Sequence, residues 1–67
     1  MNINVNYKKM SIGLKKKNEV YTLEIEYKKK AYEFIGDKKE VMKRVSKYFG
    51  KDKIAYIDTL IKKIDAL

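Results

Sequence analysis

Apolar and polar residues alternate over residues 20–27, and this alternation constrains the fold more than any other feature of the chain. The apolar members of the pattern are Tyr21, Leu23, Ile25 and Tyr27. A period of two places successive side chains on opposite faces of an extended chain, so the segment predicts a strand with one buried face. Such a strand needs neighbouring strands at its sides and an apolar layer over one face.

The same alternation occurs before and after this segment, which predicts an antiparallel meander. The apolar positions are Met10, Ile12 and Leu14 before it, and Tyr32 and Phe34 after it. Residues 2–7 also alternate, but with the opposite parity, so a turn or a bulge is expected near Lys8 and Lys9. Two interpretations stay open for residues 2–7, a bulged extension of the first strand or a separate edge strand.

Keeping every apolar position on one face also predicts the strand register, because a one-residue slip would turn that set outward. The predicted pairs are Tyr27 with Tyr32, Ile25 with Phe34, Leu14 with Tyr21, Ile12 with Leu23, and Met10 with Ile25. On the outer face this register places Glu26 opposite both Lys9 and Glu33.

The last third of the chain carries helix signals. Asp37 followed by Glu40 is typical of an N-cap with a capping box, and Gly50 is expected to end this first helix in the left-handed conformation. Asp52 is expected to cap a second helix. The predicted apolar stripe of the first helix is Val41, Met42, Val45, Tyr48 and Phe49, and that of the second is Ile54, Ile57, Ile61 and Ile64, flanked by Leu60 and Leu67.

These elements predict that residues 1–67 form one small basic α+β domain. It has a three- or four-stranded antiparallel meander followed by two helices packed on one face, in the order βββαα. The last helix is expected to pack on the sheet. The alternative is that this helix or the edge strand mediates dimerisation or docks on a protein partner. Tyr21, Tyr27, Tyr32 and Phe34 would then lie in the core and not on a surface for stacking bases.

Composition limits the chemistry that the chain can perform. It has no Cys and no His, which excludes disulfides, thiol nucleophiles, imidazole bases and Cys/His zinc sites. Glu24, Glu26 and Glu33 share a face only because alternate strand residues do so. We therefore expect a non-catalytic protein with no metal and no cofactor. A secreted domain this small usually needs disulfides, so a chain without Cys is expected to be cytoplasmic, in a bacterial cell or a phage-infected host. No apolar run approaches the length of a membrane span.

A net charge of +8, from sixteen lysines, one arginine and nine acidic residues, is typical of a chain that binds polyanions. The alternative is that the lysines reflect an AT-rich genome and the solvation of turns. The meander groups the candidate binding residues at its two ends. They are Lys8, Lys9, Lys28, Lys29 and Lys30 at one end, and Lys15, Lys16, Lys17, Lys38 and Lys39 at the other.

Residues 34–41, FIGDKKEV, stand at the predicted strand-to-helix junction. Together with the order of three strands and a helix, this segment resembles the arm-type DNA-binding domain of tyrosine recombinases. The resemblance implies that the sheet face enters the major groove. Here that face carries three glutamates and arginine is nearly absent, so we do not assign the chain to that family.

The short, lysine-rich chain is also similar in composition to small accessory proteins of phages and mobile elements, some of which inhibit host defence systems. The function expected from the sequence is therefore nucleic-acid binding through the lysine clusters by such an accessory protein. The alternative is a protein-binding inhibitor, of the anti-CRISPR kind or another anti-defence protein, that docks on an acidic or ribonucleoprotein surface.

Overall fold

A computed structural model describes residues 2–67 as one antiparallel sheet followed by two helices. The strands are β1 (Asn2–Tyr7), β2 (Met10–Lys17), β3 (Val20–Tyr27) and β4 (Lys30–Gly36), and the helices are α1 (Lys38–Val45) and α2 (Lys51–Asp65). The sheet order is β1-β2-β3-β4, so the α+β meander is confirmed in its four-stranded form. Residues 2–7 are a separate edge strand and not a bulged extension of β2.

Two-residue turns join all the strands, and their backbone is unusual for the residues present. Lys8 and Lys9 both have positive φ angles, of 45° and 68°, and Lys28 and Lys29 have φ angles of 51° and 65°. Positive φ at both turn residues belongs to the type I′ turn, whose twist matches that of the flanking strands. Asn18, in the turn between β2 and β3, also has a positive φ, of 58°.

These tight turns shift the register by two residues from the predicted one, so the predicted strand pairs were wrong. The observed pairs include Ile12 with Ile25, Leu14 with Leu23, Leu23 with Phe34, and Ile25 with Tyr32. The prediction had treated both lysine triplets as loops, whereas Lys15, Lys16 and Lys17 continue β2. A shift of two leaves every side chain on its predicted face, because the side-chain period is also two.

The shift changes the pairs on the outer face as well. Glu24, not Glu26, faces Glu33, while Glu26 lies between Ser11 and Ala31. Lys9 lies in the first turn and does not face Glu26.

Both helices pack on the inner face of the sheet. The buried apolar side chains are Met10, Ile12, Leu14, Tyr21, Leu23, Ile25, Phe34, Val41, Val45, Phe49, Ile57, Leu60, Ile61 and Ile64. Burial of Tyr21 and Phe34 confirms their predicted core role. Tyr27 and Tyr32 are half-buried at its margin. Of the two leucines that flank the apolar stripe of the last helix, Leu60 is buried and Leu67 is exposed.

The helix boundaries depart from the sequence prediction after α1. Asp37 caps α1 as expected, with its Oδ1 accepting the Glu40 N–H at 2.8 Å. The helix then ends at Val45, and Gly50 is the N-cap of α2 with φ −79°, so Gly50 is not a left-handed terminator and Asp52 is not the cap. The irregular turn at residues 46–49 has a physical role, because it directs Phe49 into the core.

Candidate nucleic-acid interface

Strand pairing separates the ten predicted lysines into two groups at opposite ends of the sheet. One group comprises Lys8, Lys9, Lys28, Lys29 and Lys30, around the β1–β2 and β3–β4 turns; we call it the hairpin end. The other group comprises Lys15, Lys16, Lys17, Lys38 and Lys39, around the β2–β3 turn and the start of α1; we call it the Asn18 end. The two groups differ in how much of their charge is neutralised by nearby carboxylates.

At the Asn18 end, two of the five lysines are held by acidic residues of α2. Lys16 Nζ lies 2.7 Å from Asp65 Oδ1, and Lys38 Nζ lies 3.6 Å from Asp58 Oδ1. Asp65 also accepts a hydrogen bond from the Tyr21 hydroxyl at 2.5 Å. The contacts of Lys16 and Tyr21 connect the end of α2 to the sheet, and the Lys38–Asp58 pair connects α2 to the start of α1, so Lys16 and Lys38 stabilise the packing of α2.

The pKa shifts at this end follow from the same contacts. The hydrogen bond from Lys16, and then the one from Tyr21, lowers the pKa of Asp65 below its ordinary value of 3.8. The hydrogen bond to Asp65 raises the pKa of Lys16 and, together with burial, that of Tyr21. All three groups are thereby held in the protonation states that form the bonds across neutral pH.

At the hairpin end, Lys8 is the paired member, with its Nζ 2.7 Å from Asp52 Oδ2. The hydrogen bond between them raises the pKa of Lys8 and lowers that of Asp52. The other four lysines, Lys9, Lys28, Lys29 and Lys30, are exposed and form no ion pair with any residue of 2–67. This end therefore keeps most of its positive charge available to a ligand.

The first turn of α2 adds Lys53 to the hairpin end, a residue that the sequence analysis did not include. Its Nζ lies 5.1 Å from the centre of the Tyr27 ring, and Lys28 Nζ lies 5.3 Å from the same centre. Two ammonium groups therefore flank one half-buried tyrosine. The sequence could have indicated Lys53. A helix that follows α1 in the same layer must begin near the end of the sheet at which α1 finishes, which is the hairpin end.

Aromatic side chains border the hairpin end on the β4 side. The Tyr32 ring centre lies 5.5 Å from that of Tyr48 and 5.1 Å from that of Phe49. Tyr48 is 61% exposed, so its predicted place in the buried stripe of the first helix was wrong. Once Phe49 enters the core, the adjacent Tyr48 points elsewhere, because neighbouring residues of a helical turn are separated by about 100°.

The outer face of the sheet has the opposite character. Glu24, Glu26 and Glu33 are exposed there, around a shallow depression of about 520 Å³ that is centred near Gly13. Gly13 carries no side chain, and a Cβ at this position would lie 3.2 Å from Asn4 Oδ1. Within the described residues, no group of three or more acidic side chains is arranged to hold a metal ion. The three glutamates give this face a negative potential, which is unfavourable for phosphate.

No protein-family model, curated protein or solved structure matches this chain. In residues 2–67, neither helix has the length and apolar character that are required to cross a membrane.

Proposed function

We propose that this chain is a non-catalytic protein that binds the phosphate backbone of nucleic acid through its hairpin end. The observation that carries the proposal is the concentration of Lys9, Lys28, Lys29 and Lys30, four exposed lysines without acidic partners among residues 2–67. Lysine ammonium groups act as point charges toward phosphate, and sixteen lysines with a single arginine favour contact with the backbone over reading of base edges.

The charge distribution also orients such a complex. Glu24, Glu26 and Glu33 occupy the outer face, while Lys28 and Lys53 lie at the hairpin end beside Tyr27. A phosphate chain is repelled by the first surface and attracted by the second. The expected contact is therefore small and local, in keeping with weak sequence preference and strong salt dependence.

A salt titration with two matched double variants tests the proposal. We expect fluorescence anisotropy to show binding of labelled oligonucleotides whose log affinity falls with log salt, with a slope of about −4 on duplex DNA for four or five contacts. The variant Lys9→Gln/Lys29→Gln removes two charges at the hairpin end and should make that slope shallower by about 2.

The control is Lys15→Gln/Lys17→Gln, which removes the same charge from exposed lysines of the Asn18 end. It should leave the slope nearly unchanged. If the salt slope became shallower by the same amount in both variants, total charge would determine binding and the hairpin end would have no special role. Affinity that does not respond to salt in the unmodified protein would exclude the proposed function.

The edge strand β1 favours a protein partner as a second candidate function. Its sequence, NINVNY, has no charged residue, whereas each of the other strands has at least two. Edge strands are usually protected by charge, so an uncharged edge invites pairing with another strand, as in an inhibitor or adaptor that binds by strand addition. Sedimentation over a range of concentrations distinguishes pairing of two copies through this edge from a monomer whose edge is free. Membership of a phage or mobile element stays a prediction from composition.

A further inference from the structure

Tyr48 is a large aromatic side chain that the core does not use. It lies in the irregular turn between α1 and α2 and is 61% exposed. Its ring centre is 5.5 Å from that of Tyr32 and 5.9 Å from that of Phe34, with the rings tilted by 53° and 47°. These contacts hold the Tyr48 ring against the molecule while leaving most of its surface open to solvent.

The rings beside Tyr48 form a continuous row that leads to the hairpin end. Tyr32 and Phe34 share the inner face of the edge strand β4 with Lys30, which pairs across the turn with Tyr27. Phe49 contacts both Tyr32 and Tyr27, with ring centres 5.1 and 6.1 Å apart. We call the partly exposed members of this row, Tyr27, Tyr32 and Tyr48, the aromatic edge.

Lysines lie along the same row. Lys28 and Lys53 flank Tyr27 at 5.3 and 5.1 Å from its ring centre, and Lys30 follows on the strand that carries Tyr32. Open aromatic faces next to unpaired ammonium groups are what a single strand requires, since its bases stack on rings while its phosphates contact cations. A duplex offers the phosphates but keeps its base faces stacked inside.

We infer that the ligand of the hairpin end is single-stranded nucleic acid, with a base stacked on Tyr48 and the adjacent phosphates contacting Lys28, Lys29 and Lys30. This inference rests on the proposed function and specifies its ligand. The ring of Tyr48 supplies the surface for the base, and the tilted contact with the Tyr32 ring holds it in place. Stacking on an aromatic ring tolerates any base, so recognition depends on strandedness and not on sequence.

The test compares a labelled oligo-dT of about 12 nucleotides, a length within the usual range for one binding site, with a duplex of equal length. We expect the single strand to bind more tightly. Tyr48→Ala should weaken single-strand binding by about ten-fold or more and leave duplex binding and both salt slopes unchanged. Tyr48→Phe retains the ring and should retain the affinity.

Two further variants separate loss of stacking from loss of structure. Tyr48→Leu keeps an apolar side chain without an aromatic face, so it should bind the single strand as weakly as Tyr48→Ala does. Ile35→Ala truncates a comparably exposed side chain, 50% exposed on the outer face, and should bind like the unmodified protein. Thermal denaturation of each variant, followed by circular dichroism, confirms that the fold is intact.

The outcomes distinguish this inference from the proposed function. Salt-dependent binding that Tyr48→Ala and Tyr48→Leu leave unchanged would overturn the stacking inference while the proposed function stands. Equal weakening of single-strand and duplex binding would also overturn it. Absence of salt-dependent binding to either oligonucleotide would remove the proposed function and this inference together, leaving a protein partner as the remaining candidate.

Discussion

At the scale of single residues, the clearest feature is the carboxylate that Lys16 and Tyr21 share. Asp65 lies at the end of α2, where a negative charge is unfavourable because the helix macrodipole is negative there. The Lys16 ammonium at 2.7 Å and the Tyr21 hydroxyl at 2.5 Å compensate for that position and connect the helix to the sheet. Because Asp65 is better stabilised as an anion in the folded chain, stability depends on its protonation.

We predict that Asp65→Asn makes stability less dependent on pH in the acid range. The pKa of Asp65 lies below 3.8 in the folded protein, so its contribution is present above about pH 4 and is lost as pH falls through the folded-state value. Midpoints of thermal unfolding measured between about pH 7 and pH 2 should converge for the variant and the unmodified protein at the acid limit.

Glu19→Gln is the control for this prediction. Glu19 is exposed in the β2–β3 turn and forms no ion pair within the described part of the chain. Its variant should follow the unmodified protein at every pH. If Asp65→Asn did the same, the contacts with Lys16 and Tyr21 would contribute nothing to folding.

At the scale of elements, the two Lys-Lys turns place exposed charged residues at positions whose backbone conformation is unfavourable for lysine. Type I′ turns strongly prefer Asn-Gly, because a side chain of ordinary shape is disfavoured at positive φ by about 1–2 kcal/mol. Lys8, Lys9, Lys28 and Lys29 nevertheless occupy all four such positions. The chain thus keeps lysines where another sequence would be more stable, which is consistent with a binding role for the turns.

We predict that Lys28→Asn/Lys29→Gly stabilises the protein by about 1 kcal/mol while weakening nucleic-acid binding. The gain comes from relieving the left-handed backbone, and the loss comes from removing two phosphate contacts. Urea denaturation and anisotropy titration measure the two effects. The matched control, Lys28→Gln/Lys29→Gln, removes the same charge without improving the turn. Equal stability of the two variants would contradict the assigned strain.

At the scale of the whole molecule, the net charge of +8 opposes folding even though it favours the proposed binding. Within the described residues five ion pairs form, and all except Lys16–Asp65 have at least one substantially exposed member, so these four contribute little. Repulsion among the remaining lysines is then the larger long-range electrostatic effect. Salt screens that repulsion over a Debye length of about 10 Å at 0.1 M.

We predict that salt affects the free protein and its complex in opposite directions. Raising the concentration of NaCl from about 0.02 to 0.3 M should increase the free energy of unfolding by up to about 1 kcal/mol, because it screens repulsion between lysines. The same change should weaken the complex, because each counterion released on binding gains less entropy when the bulk salt concentration is higher. Denaturation and anisotropy in matched buffers measure both trends.

The variant Lys9→Gln/Lys29→Gln is the control for this prediction. It lowers the net charge by two, so its free energy of unfolding should increase less with salt than that of the unmodified protein. Destabilisation by salt would show that the five ion pairs outweigh the repulsion.

Local chemistry was enough to predict the elements and their faces. The period-two alternation identified β2, β3 and β4 and the buried side of each, and Asp37 marked the start of α1. These predictions held because each depends on residues within a few positions of one another. The grouping of lysines at two ends required only the antiparallel order of the strands, which the alternation already indicated, and not their register.

Tertiary structure alone decided the strand register, which lysines form ion pairs, and which aromatic rings are exposed at the aromatic edge. A shift of two residues preserves every face, so the alternation cannot distinguish the two registers, and closure of the two-residue turns makes the choice. Carboxylates distant in the sequence, Asp52 and Asp65, determine which lysines are paired. Tyr48 is exposed because Phe49 packs against Tyr27 and Tyr32, a contact between separate elements that no local pattern contains.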